Sequence, residues 1–325
     1  MEKWNNGVMV FSSQCSNTPT LRFPINEREV FMELFLQLFI TGILVGSIYA
    51  LVALGWTLIY KCSGVLNLAM GELTLIGAYV CLTLYQWHIP FILAIAITLV
   101  IGFVLGILTE ILFLRPMVGE PVLSVIMVTV GLSFFFKGLV ELVWGTDTVV
   151  FTPTVFPIEP VFLGKIVVGQ VYLWAFVASI ILLLAFVTFF KYTKWGLSMQ
   201  ATADDEMAAL SLGVNAKIVY ALAWAIAFMA AGVGGTLLGN INGLNISVGH
   251  LGLLVLPAVV LGGLNSVPGA IVGGLVIGVL QNLADGYLSR FTPGGVKEVF
   301  PFAVMVVILL FKPYGLWGWI RIERV

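Results

Sequence analysis

The chain has 325 residues, of which 60% are hydrophobic and only 10% charged, with a formal net charge of −1 and an isoelectric point near 6.1. A soluble domain carries roughly 25% charged and 45 to 50% apolar residues, so a mean hydropathy of +1.10 identifies an integral membrane protein. The near-neutral balance leaves no basic surface for nucleic acid, and Cys15, Cys62, Cys81, His88 and His250 are too few and too scattered for a disulfide framework or a metal site.

Residues 1–31 are polar and lack the apolar centre of a secretory signal, so they are read as a tail ahead of a membrane domain covering 32–325. Met32 directly precedes the first apolar run, which makes it an expected natural start, testable by the intact mass of the native protein. The first span runs from Leu34 to Tyr60, broken only by Gln37, Thr41, Ser47 and Thr57, and ends at Lys61. The next run, Val65 to Tyr85, contains Asn67 and Glu72 and is punctuated by Gly64, Gly71 and Gly77. A carboxylate at bilayer depth costs about 2.5 to 3.5 kcal/mol on insertion scales, so Glu72 is expected to face a polar cavity or a protein partner. Glycines beside it predict an interrupted helix, tolerated only where the freed backbone is buried in protein or lines water. Asn67, Gly71 and Glu72 are therefore candidates for a solute pathway; the alternative is that Glu72 lies near the cytosolic interface and is simply solvated.

Ile89 to Leu114 is a clean span with Glu110 and Arg115 near its cytoplasmic end. Pro121 to Trp144 follows, with Lys137 and Glu141 four residues apart on one helical face, a pair expected to neutralise itself. Gly145 to Lys165 is an external loop, and Ile166 to Phe190 another span. Between it and the span from Ile218 to Leu238 lies the one long polar interval, Lys191 to Lys217, with Lys191, Lys194 and Lys217 at its edges. The positive-inside bias puts this interval in the cytoplasm. A short helix is predicted within it: Thr202 or Asp204 as N-cap, Asp204, Asp205 and Glu206 in the first turn, and Gly213 at the C-terminal end. Met207, Ala208, Ala209, Leu210 and Leu212 between those ends are small and apolar. A helix that short needs a surface to dock on, either its own bundle or a cytosolic partner.

Gly239 to Gly249 turns outside. Leu251 to Leu264 is shorter than the ~20 residues of a straight span and breaks at Asn265, Ser266, Val267, Pro268 and Gly269 before a second run from Ala270 to Leu283. Two short apolar runs around such a break point to a transport pathway, which adds Asn265, Ser266 and Pro268 to the candidates; the alternative is a full hairpin turning at the cytoplasmic surface. Ser266 is the expected N-cap of the second run. The last span runs from about Val296 to Phe311. By this topology Lys61, Arg115, Lys191, Lys194, Lys217, Lys312, Arg321 and Arg324 lie inside and Lys165, Arg290 and Lys297 outside, as the cation bias requires. Glycine pairs at four-residue spacing (Gly42 and Gly46, Gly102 and Gly106, Gly235 and Gly239, Gly269 and Gly273, Gly274 and Gly278) are expected to pack the bundle itself. The fold expected is an all-α polytopic transmembrane bundle of about eight to nine membrane segments, with interrupted or re-entrant helices.

The chain contains no G-x-x-x-x-G-K-[ST] phosphate loop, H-E-x-x-H or G-x-S-x-G motif, so no catalytic residue, cofactor or metal is assigned. It moves or binds a solute without powering the step. Gly196 to Gly213, GLSMQATADDEMAALSLG, resembles the cytoplasmic loop of the membrane subunits of bacterial ABC importers of the branched-chain amino acid type, with Glu206, Ala208, Ala209 and Gly213 matching the EAA-loop pattern. Gly55 to Val80 is similar to that family's early signature, Glu110 to Pro116 to the end of its third long span, Leu261 to Ala270 to its late signature, and Lys312 to Gly318 to its C-terminal segment. Two departures are Met70, where the family commonly has histidine, and the charged pair Lys137 and Glu141 in a span usually neutral.

The resemblance implies a multi-pass permease subunit of the bacterial inner membrane. It would pair with a second, identical or homologous permease, be driven by two cytosolic ATP-binding subunits, and receive solute from an extracytoplasmic binding protein. Asp204, Asp205, Glu206, Ala208, Ala209, Leu210 and Gly213 would form the coupling helix seated on the ATPase. Branched-chain or other apolar amino acids are the first expectation for the solute, and urea or short amides the alternative. From another class, a stand-alone secondary transporter or channel remains the rival reading.

Overall fold

The computed structural model describes residues 4–5, 8–9, 27–157, 159–164, 166–291 and 295–318, with side chains from residue 31 onward except that of Leu163. Most of the tail, together with Lys165, Arg321 and Arg324 of the cation count, lies outside the described residues; within the tail, β1 (Trp4–Asn5) pairs antiparallel with β2 (Val8–Met9).

The body is an all-α bundle. Helix α1 (Glu27–Ser63) starts inside the stretch read as tail and carries Met32 in its first turns. It is followed by α2 (Met70–Gln86) and α3 (Phe91–Thr109), the latter continuing through a π-turn at Glu110–Leu114 and a 3₁₀ turn at Arg115–Met117. Then come α4 (Val122–Trp144), a hairpin of β3 (Pro160–Leu163) and β4 (Ile166–Gly169), and α5 (Gln170–Tyr192). The first four residues of the span expected from Ile166 are thus a strand, whose partners Pro160 to Leu163 satisfy the backbone outside the helix. Next are α6 (Lys194–Asp204), α7 (Glu206–Ser211) and α8 (Ala216–Asn242). A 3₁₀ turn (Ile246–His250) leads into α9 (Leu251–Gly262), and α10 (Val267–Leu288) and α11 (Val296–Phe311) complete the chain.

Six helices are long and apolar enough to cross a bilayer: α1, α3 with its continuation, α4, α5, α8 and α10; α2, α9 and α11 are shorter. Burial sorts the long ones into core and rim. In the most apolar stretch of α8, 78% of residues are buried, and 67% in α1, against 17% in α3 and α4. The core that α1 and α8 share with α2, α9 and α10 holds Trp56, Trp224 and Tyr79, while α4, α5 and α11 turn Phe134, Ile181 and Leu310 outward.

Hydrocarbon gives helices no hydrophobic reason to associate, so contact area comes from close backbone approach at small residues. The glycine pairs supply it. Gly42 and Gly46 lie on the backbone of Val279 and Leu275, and Gly274 and Gly278 lie in turn on Ala50 and Gly46, closing α1 onto α10. Gly106 meets Ala225 of α8, Gly235 meets Thr74 of α2, and Gly269 and Gly273 meet Gly262 and Ala258 across the α9–α10 hairpin.

Candidate functional site

The polar interval between α5 and α8 forms two helices rather than one. Thr193 caps α6, its hydroxyl accepting from the Gly196 amide at 3.0 Å, and the Gln200 side chain donates to the Phe190 carbonyl at 2.8 Å, fastening α6 to the end of α5. The chain then breaks at Asp205, whose φ of −153° is extended and whose carboxylate accepts from the Ala208 amide at 3.0 Å. The N-cap of α7 is therefore Asp205, and the expected caps fall elsewhere: Thr202 is buried inside α6 and Asp204 ends it. Gly213 adopts a φ of +85°, letting the Val214 amide reach back to the Ala209 carbonyl at 3.0 Å. That left-handed turn is what the glycine supplies. Asn215 caps α8 directly afterwards.

Helix α7 is two-faced. Ala209 is 2% exposed against the bundle, and the Tyr220 hydroxyl of α8 donates to the Glu206 carboxylate. Met207 at 74% and Leu212 at 84% stand in the open, with Ala208 and Leu210 also exposed. Beside this loop a cavity of about 770 Å³ lies between the end of α1 (Tyr60, Lys61), Asp204 and Glu206, and the α9–α10 turn at Asn265.

The sequence-assigned pathway residues fall in two separate places. Asn67 is fully buried in the irregular segment between α1 and α2, its carbonyl oxygen accepting from the Ala69 amide at 3.0 Å while its amide nitrogen finds no partner. Gly71 lies directly on the Gly249 and Gly252 backbone, so α2 and the start of α9 meet without side chains between them. Glu72 follows in the first turn of α2 and accepts from the Ser133 hydroxyl of α4, with Lys137 and His250 in electrostatic range. The pair expected between Lys137 and Glu141 is not formed; among the described residues the one salt bridge joins buried Glu110 to Arg115 at 2.7 Å. Lys137 lies in electrostatic range of Glu72 in the α2–α4 contact, and Glu141, half-buried one turn on, forms no ion pair with it.

Asn265, Ser266 and Pro268 form the turn between α9 and α10 at the end of the bundle where Lys61, Lys191 and Gln200 lie. Ser266 caps α10, accepting from the Gly269 amide at 3.1 Å, and Pro268 sits in its first turn. The turn is clamped by the C-terminal segment: the Leu316 and Trp317 amides donate to the Leu261 and Gly262 carbonyls at 2.8 and 3.1 Å. Helix α10 has 22 residues rather than the length of a half-helix, while α9, with 12, keeps the short length of the first run.

A second cavity, of about 500 Å³, opens at the other end. One wall is a stripe of α1, Gln37, Thr41, Val45 and Tyr49, at four-residue spacing, and the facing wall is Gln281 and Asn282 of α10. Asn282 donates to the Thr41 hydroxyl at 2.9 Å, and Gln281 donates to the Tyr49 hydroxyl and to the Lys297 carbonyl, the latter at 2.7 Å. The remaining lining mixes apolar Leu238, Ile241, Val248, Leu251 and Leu254 with polar Asn242, Asn245 and Ser247 and the charged pair of positions Lys297 and Glu298. Gln37 and Thr41 read in the sequence as mere interruptions of a span. Their spacing with Val45 and Tyr49 was the available signal, since residues four apart stack on one helical face.

An all-α body with six helices of spanning length and a capped polar loop between two of them defines a polytopic membrane protein. A family model described as branched-chain amino acid transport system / permease component matches residues 38–309. The high-affinity branched-chain amino acid transport system permease protein LivH is 32% identical over 312 residues in both Salmonella typhimurium and Escherichia coli K12, spanning 90% of this chain and 98% of each relative. BraD of Pseudomonas aeruginosa, also titled a high-affinity branched-chain amino acid transport system permease protein, is 30% identical over 307 residues, with the same coverage. The chain belongs to this permease family. It is a multi-pass inner-membrane subunit of an ABC transport system and not an enzyme, and it works with ATP-binding subunits and a solute-binding protein. The stand-alone carrier or channel is not favoured.

Proposed function

We propose that this subunit imports branched-chain or other apolar amino acids handed over by an extracytoplasmic binding protein. The observation that carries the reading is the outer cavity, which brings amides, hydroxyls, Lys297 and Glu298 together with Leu238, Ile241, Leu251 and Leu254, a lining suited to a small zwitterion with an apolar side chain. Its relatives LivH and BraD are branched-chain amino acid permeases, which supports the same class.

In this reading residues 32–325 are one permease body with 191–217 as its docking loop. Six long helices and the shorter α2, α9 and α11 make the eight to nine membrane segments. Helix α7 is the coupling helix, with Asp205 and Gly213 fixing its ends, Ala209 seating it on the bundle, and Met207, Ala208, Leu210 and Leu212 presented to the ATPase. Two ATPases and a second permease complete the assembly. Asn67, Gly71 and Glu72 belong to the middle of the route, and Asn265, Ser266 and Pro268 to its cytoplasmic exit, where the inner cavity opens beside Asn265.

The test is uptake into proteoliposomes holding the whole complex and its binding protein. Leucine, isoleucine and valine are expected to accumulate in an ATP-dependent manner, with urea and acetamide at background; accumulation of the amides instead would replace the substrate assignment.

A further inference from the structure

The mid-membrane charges of this subunit lie on a face that lipid cannot cover. The Trp144 indole donates to the Thr83 hydroxyl at 2.7 Å, which levels the outer ends of α2 and α4. Glu72 lies eleven residues before Thr83 and Ser133 eleven before Trp144, so both sit roughly 16 Å inward at 1.5 Å per residue. Glu141 is half-buried nearer the outer end of α4, about 4 Å in by the same count, while Lys137, about 10 Å in, and Glu72 are half-buried deeper and His250 is exposed. Ionisable side chains at this depth face protein or a water-filled path.

Helix α4 carries an independent sign on the same side. Among the described helical glycines of the membrane body, all except Gly131 and Gly138 would place a Cβ within 4 Å of another part of the chain; at these two there is open space. A glycine inside a helix weakens it, and in a bilayer its return is the close approach of another helix. Gly131, Phe134, Lys137, Gly138 and Glu141 fall within roughly 120° of arc at 100° per residue, next to the flank that meets Glu72.

We infer that this face, Gly131, Gly138 and Glu141 of α4 together with Lys137, Glu72 and His250, is where a second permease subunit packs, with the charged groups enclosed between the two. The inference rests on the pairing of permeases proposed above and names its surface. The patch carries both signs, so a partner of the same fold related by a two-fold axis sets carboxylate against ammonium, as an isologous contact requires. The glycines give the partner's helix its closest approach.

The experiment uses the whole complex in membranes. A benzophenone is attached to a cysteine introduced by Gly138→Cys or, for comparison, by Ile181→Cys on the outward face of α5, in a Cys15→Ser background in which Cys62 and Cys81 are buried. Light is expected to yield an adduct with a permease subunit from position 138 and not from 181. Adducts from 138 with lipid, ATPase or binding protein only, no adduct from 138, or a permease adduct from 181 alone would overturn the inference. The intact mass of the complex separates the two levels: two permeases joined through another face defeat this surface, and a single permease defeats the pairing itself. Gly138→Leu, with open space for its side chain in the isolated subunit, is expected to reduce recovery of the paired permease at least about tenfold. The elution profile of the separated subunit should stay unchanged; undiminished pairing would also overturn the inference.

Discussion

At the scale of single residues, the molecule depends on positions where a side chain is missing. Gly71 allows α2 to lie on the Gly249 and Gly252 backbone, and Gly77 allows it to lie on Gly232 of α8. In each case the atoms that an added methyl would meet are backbone, which cannot swing aside. Gly77→Val is therefore expected to destabilise the subunit by about 3 kcal/mol or more, through overpacking of a core contact. Thermal unfolding in detergent checks this; a midpoint within a degree or two of the parent would show that the α2–α8 contact is looser than drawn. Glu72 is a different kind of residue. Because it is partly accessible and held by Ser133, Glu72→Gln keeps the hydrogen bond and removes the charge. Uptake is expected to fall at least about fivefold with folding retained, and equal losses of uptake and folded protein would assign the carboxylate to structure alone.

At the scale of elements, α7 shows how a six-residue helix persists where isolated helices of that length do not. Its first turn is capped by Asp205, its last turn is closed by the left-handed Gly213, and Ala209 with Glu206 ties it to the bundle. These contacts use one face and leave Met207 and Leu212 outside. Leu212→Arg is expected to leave the subunit folded while lowering both ATPase co-purification and ATP-dependent uptake at least about tenfold. Unchanged co-purification would detach α7 from the ATPase. Ala209→Arg is the poorer probe, because that position is inside and a guanidinium there disrupts the subunit before any partner is reached. The end signals of this loop were legible in advance, since Gly213 and the acidic run fix local geometry. The break at Asp205 was not: three consecutive acidic residues offer several caps, and the choice was made by packing of α6 on α5 through Gln200.

At the scale of the whole molecule, an inner core of α1, α2, α8, α9 and α10 is wrapped by α3, α4, α5 and α11, with cavities at both ends. Such a body has two mouths and no engine. Uptake by the reconstituted complex is expected to stop when ATP is withheld, falling at least about tenfold, and to persist when the proton gradient is collapsed. Loss on collapse of the gradient with ATP present would reinstate an ion-coupled mechanism. These cavities also explain why the pathway candidates separate: Asn67 and Glu72 belong to the level where α2 begins, whereas Asn265 and Ser266 close the bundle at the mouth beside Lys61.

The sequence by itself determined whatever depends on neighbours along the chain. Apolar runs of spanning length, glycines at four-residue spacing and the loop pattern around Glu206 to Gly213 gave away class and family, and the cations flanking the runs predict an orientation. Only the tertiary structure decided contacts between residues far apart in the chain. It set the α1 stripe from Gln37 to Tyr49 opposite Gln281 and Asn282, brought Lys137 into electrostatic range of Glu72, and made Ala209 an inward residue. The physical reason is that a helix fixes which residues share a face, while the identity of the partner facing them is set by the packing of the entire bundle.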